Sequence, residues 1–128
     1  MMNWWSVRID PLPLPQRLIP RPQDHGAEPL PSYQLWLPLI PDGRISLPLF
    51  RAEPARAKVV SLDERGERDG CIKLRDHQLF CAWSPGGGHR ARELRIIGAR
   101  FAPGEVIGLR PARGVIGLYR VGERVELP

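Results

Sequence analysis

The sequence predicts an all-β fold, a small meander β-barrel or sandwich with a proline-rich N-terminal arm, and three observations lead to it. The first is proline: the chain holds 15, and eleven of them, Pro11 to Pro54, precede residue 55. An interior proline removes a backbone donor and clashes with the preceding helical turn at a cost of about 3 kcal/mol, so long helices are excluded from that half. The second is a succession of short apolar runs separated by glycine, proline and aspartate, the pattern of strands and tight turns. The third lies in residues 96–123, "IIGARFAPGEVIGLRPARGVIGLYRVGE", where I-I-G-A is followed by V-I-G-L and V-I-G-L again at intervals of about nine residues. At 128 residues the chain has the size of one domain, 1–128, with 42% hydrophobic and 26% charged residues, ordinary globular usage.

Taken in order, Asn3 to Ile9 reads as an opening strand, with Trp5, Val7 and Ile9 on one face and Trp4 on the other. Residues 11–31, which include "DPLPLPQRLIPRPQDHGAEPLPS" from Pro11 onward, read as an extended arm packed on the domain, or alternatively as a docking motif for a proline-reading partner. In "YQLWLPLIPDGRISLPLF", residues 33–50, Pro41-Asp42-Gly43 is turn chemistry between two apolar runs and predicts a hairpin, with Pro38 and Pro48 pointing to an edge position. "AKVVSL" is the next strand, "DERGERDG" a charged turn, and "CIKL" and "LFCAW" two more strands about "RDHQ". Helix is scarce, and the best candidate is a single turn from His89 to Leu94.

The three glycine phrases predict a three-stranded meander over residues 94–127. If Ala102-Pro103-Gly104 and Pro111-Ala112-Arg113-Gly114 are the loops, Gly98, Gly108 and Gly117 fall in one cross-strand row. Glycine inside a strand marks a sharp bend or a close approach by another group.

The net charge is +5, and the excess sits in residues 55–128, where fourteen Lys and Arg face nine acids. Only Lys58 and Lys73 there are lysines. Arginine presents a planar fork of donors suited to phosphate or carboxylate, although a compositional bias toward arginine would give the same count. "SPGGGHRARE", residues 84–93, is the most suggestive loop: Gly86, Gly87 and Gly88 free backbone amides to cradle an anion beside His89, Arg90 and Arg92. It is not a P-loop, since no Gly-Lys-Ser or Gly-Lys-Thr follows. A hairpin tip with solvated charges is the structural alternative.

Cys71, His77, Cys81 and His89 form a C-x5-H-x3-C-x7-H series whose spacing matches no standard zinc finger or ribbon, so two core thiols are expected, with no metal and no cofactor. Whether these four residues meet is open. No G-x-S-x-G, H-E-x-x-H or paired-carboxylate pattern is present, and no enzymatic activity is expected. No run of 18 apolar residues suggests a membrane span, no secretory signal opens the chain, and two cysteines fit a cytoplasmic protein.

These features support two functions. One is a non-enzymatic nucleic-acid-binding accessory protein, with His89, Arg90, Arg92, Arg95, Arg100, Arg110 and Arg113 against phosphates. The other is a protein-interaction module, a subunit or inhibitor of a larger complex, using the proline-rich arm and an exposed tryptophan. The oligomeric state is not legible.

Overall fold

The computed structural model describes residues 2–13, 30–63, 66–83, 92–98 and 100–128. Eight antiparallel strands run in sequence order around a closed barrel: β1 (Asn3–Pro11), β2 (Ser32–Leu39), β3 (Lys58–Asp63), β4 (Gly66–Arg75), β5 (Gln78–Trp83), β6 (Arg92–Ile97), β7 (Val106–Pro111) and β8 (Gly117–Glu126). β1 closes the barrel on β8, from Trp5↔Glu126 to Pro11↔Tyr119, with a register shift between Val7 and Ile9. Closure removes the sheet edges that would otherwise template pairing with other chains. Among the described residues, no helix is long and apolar enough to cross a membrane.

Strand alternation fills the interior. Val7 and Ile9 of β1, Leu35 and Leu37 of β2, Val59 of β3, Ile72 of β4, Cys81 of β5, Leu94 and Ile96 of β6, Ile107 and Leu109 of β7, and Tyr119 and Val121 of β8 are all buried. At one end the Tyr33 ring packs at a tilt against Trp83 and against Tyr119, both at 5.6 Å between ring centroids. An eight-stranded barrel has an interior just wide enough for side chains to fill it, and these buried side chains form its core.

The β2 hairpin differs from expectation. Its first strand and its Pro41-Asp42-Gly43 turn form, but the return is a single bridge, Leu39↔Ile45, before a short helix α1 (Leu47–Ala52). The reason is local: the Ser46 hydroxyl caps the helix by accepting from the Leu49 N–H at 3.3 Å, and Pro48 sits in the first turn, where it loses no bond. Pro48 is thus a helix starter and not an edge residue. Pro38 lies in a strand paired on both sides, but β3 pairing stops at Trp36, so the missing donor costs nothing. "DERGERDG" is also more ordered than a turn, because β4 begins at Gly66, opposite Asp63. Asp76 and His77, with φ of 51° and 62°, make the two-residue hairpin turn to β5.

The glycine phrases form consecutive antiparallel strands, as predicted, but each register is displaced by one. Gly108 faces Ile97 and Leu118, not Gly98 and Gly117. The displacement follows from the connections, residues 98–105 and 112–116, which are longer than the predicted loops. The offset also accounts for the repeat. A Cβ at Gly98 would sit 2.8 Å from Ile107, and one at Gly108 would sit 2.6 Å from Ile116, so the isoleucine of each phrase packs over the glycine of the phrase before it.

Phe101 leaves the 98–105 connection to enter the core at 1% exposure. Its N–H donates to the Gly43 carbonyl at 2.8 Å, tying the β6–β7 connection to the turn after β2. Gly43 has φ +96°, and a Cβ there would lie 2.9 Å from the Ala102 nitrogen, so only glycine fits.

Trp4, not Trp5, is the fully buried tryptophan of β1, with the Arg56 guanidinium 5.2 Å from its ring. Trp5, Trp36 and Trp83 are half-buried. No tryptophan is exposed, contrary to what the protein-interaction reading requires. Of the predicted arm, Pro11 ends β1 and the Leu12 N–H donates to the Leu118 carbonyl at 2.9 Å. Residues 14–29 lie outside the described residues.

The cysteines also part from expectation. Cys81 is buried, but Cys71 is exposed, because Ile72 and not Cys71 faces Cys81 across β4 and β5. His77 is at the exposed hairpin tip and His89 lies outside the described residues. Burial, with a smaller contribution from Cys71, pushes the Cys81 thiol up from 9.0 to about 12. Since the thiolate is the reactive form, a thiol reagent at pH 8 should label one cysteine rapidly and the second only on unfolding. The same shift makes the Cys81 contribution to stability complete below pH 9 and lost as the pH rises toward 12, because the unfolded chain there releases the proton more readily.

Candidate anion-binding groove

The outer face of β4 to β7 carries the concentration of charge. Pairing sets Lys73 opposite Phe80, Phe80 opposite Arg95, and Arg95 opposite Arg110, a row across four strands. Around it opens a groove of about 330 Å³ lined by Phe80, Glu93, Arg95, Arg110, Pro111 and Ala112.

Two like charges directly opposite on neighbouring strands repel. Neither Arg95 nor Arg110 takes part in an ion pair among the described residues. The Nε of Arg95 is moreover buried and has no hydrogen-bond partner among the described residues. Glu93, the acid in the groove, is engaged by Arg75, whose guanidinium also lies 4.3 Å from the centre of the Phe80 ring. Among the described residues, the groove thus combines two guanidinium groups without acidic partners and one aromatic ring. An anion seated between the arginines would relieve the repulsion.

Of the residues singled out in the sequence, Arg95 and Arg110 are brought together here, and Arg113 is an exposed residue that follows Ala112 in the chain. Arg92 begins β6 opposite Trp83. His89, Arg90, Gly86, Gly87 and Gly88 lie outside the described residues, though the strands on either side of them, β5 and β6, are the two that supply Phe80, Glu93 and Arg95. Arg100 is elsewhere: its Nε donates to the Asp42 carbonyl at 3.1 Å and its guanidinium pairs with Glu105 at 3.8 Å, so it serves the opposite end of the barrel.

Sequence reasoning missed Phe80, Arg75 and Glu93. A signal for Phe80 was present in "LFCAW": once Leu79, Cys81 and Trp83 are taken as the inward set, Phe80 must face out. Nothing in the sequence marked Glu93 as the partner of Arg75, which depends on the packing of β4, β5 and β6 side by side. In comparisons with known proteins, no family model, no curated protein and no solved structure matches the chain.

Proposed function

We propose that the chain is a non-enzymatic nucleic-acid-binding accessory protein whose phosphate contacts centre on Arg95 and Arg110. The observation that carries this reading is the direct opposition of these two arginines, neither of which has an acidic partner among the described residues. The net charge of +5 favours the approach of a polyanion. A reducing, cytoplasmic setting suits the two free thiols.

The test is an NMR titration that follows the arginine Nε–H resonances as a mixed-sequence oligonucleotide is added at low salt. Arg95 and Arg110 should shift and saturate together, while Arg100 should not. Saturable binding with no change at Arg95 would defeat the assignment.

A second reading, a protein-interaction module within a larger complex, has one observation in its favour. Val106, Val115, Ile116 and Leu118 are 47%, 89%, 39% and 49% exposed on β7, β8 and the connection between them. Binding through that surface would be nearly independent of salt, whereas phosphate contacts weaken steeply with it.

A further inference from the structure

We infer that the groove takes a single nucleic-acid strand, with one unpaired base stacked on Phe80 and the adjoining phosphate between Arg95 and Arg110. This inference rests on the nucleic-acid reading of the groove. Two features go beyond charge. The first is the ring: Phe80 stands directly opposite Arg95 on the neighbouring strand, so a base on the ring and a phosphate on the guanidinium are neighbours along one chain. In a duplex each base face is covered by the next base, and an aromatic side chain can be stacked upon only by a base that is unpaired. The second is size. A volume of about 330 Å³ is at the low end for small-ligand sites, with room for one flat group such as a base.

Arg75 indicates how the ring is kept ready. Its guanidinium, a planar group, lies over Phe80 at 4.3 Å, the place where the base would stack. Arg75 is held there by Glu93, and the two side chains are 57% and 38% exposed, so the pair is weak and readily displaced. Once displaced by the base, Arg75 leaves the ring with its charge still beside the strand.

The experiment is fluorescence anisotropy with a labelled single-stranded oligonucleotide, its duplex form, and a mononucleotide as competitor, at several salt concentrations. The wild type should prefer the single strand. Phe80→Ala should weaken single-strand binding by about 5- to 150-fold, the usual worth of one stacked base, and leave the salt dependence unchanged because no charge is removed. Phe80→Leu, which keeps the apolar bulk and so controls for folding, should weaken it as well, and Phe80→Trp should preserve it. Equal affinity for strand and duplex, or indifference to Phe80→Leu, overturns the inference and leaves the phosphate reading standing. Displacement by the mononucleotide at matching affinity overturns the strand in favour of a free nucleotide. Absence of binding to any of the three at low salt overturns both.

Discussion

Phe101→Ala is expected to destabilise the protein by about 3–5 kcal/mol, the range for removing a fully buried aromatic ring. For a chain of this size that corresponds to a fall in Tm of about 10–20 °C. The argument rests on position as much as on area. Phe101 is 1% exposed, it comes from a connection rather than a strand, and its backbone is joined to Gly43 across the end of the barrel. Truncation would leave a cavity that the surrounding strands, each paired on both sides, cannot close. Phe101→Leu should cost much less, since most of the volume is retained. Thermal unfolding followed by circular dichroism measures both. A loss below about 1 kcal/mol for the alanine variant, the level of an ordinary surface change, would show that Phe101 does not plug the barrel.

Strand content was legible because alternation survives from strand to strand: Leu35 and Leu37, or Ile107 and Leu109, are buried at every second position as a two-residue period requires. Closure was legible as one of two alternatives, barrel or sandwich, and the sequence did not decide between them because the pairing of β1 with β8 joins residues more than a hundred positions apart and leaves no mark on either segment alone. The glycine registers were missed by one residue because register is set by the length of the connection, and the tight loops "APG" and "PARG" suggested shorter ones than form. α1 could have been found, since Ser46 followed by Pro48 is a helix start, but the apolar run around it reads equally well as a strand.

For the groove, the arginines were legible as types and not as a set. Arg95, Arg100, Arg110 and Arg113 look alike along the chain, yet pairing sets Arg95 beside Arg110 and sends Arg100 to the far end, where Asp42 and Glu105 engage it. What distinguishes the arginines proposed to bind from Arg100 is the absence or presence of a partner among the described residues, which only the packed surface decides.

That distinction leads to the most direct test. In Arg95→Ala/Arg110→Ala the two opposed guanidinium groups are removed together, and the salt dependence of single-strand binding should become shallower by about 1.4, or 0.7 for each phosphate no longer neutralised. Stability should be unchanged or should rise by up to about 1 kcal/mol, because two like charges facing each other across the β6–β7 pair repel. Arg100→Ala, at the other end of the barrel, serves as the control and should leave the salt dependence as it is. The measurement is the slope of log affinity against log salt for the three proteins on one oligonucleotide. A slope that falls only in the double variant, with its folding intact, is what the groove predicts; a slope that is the same in all three would contradict it.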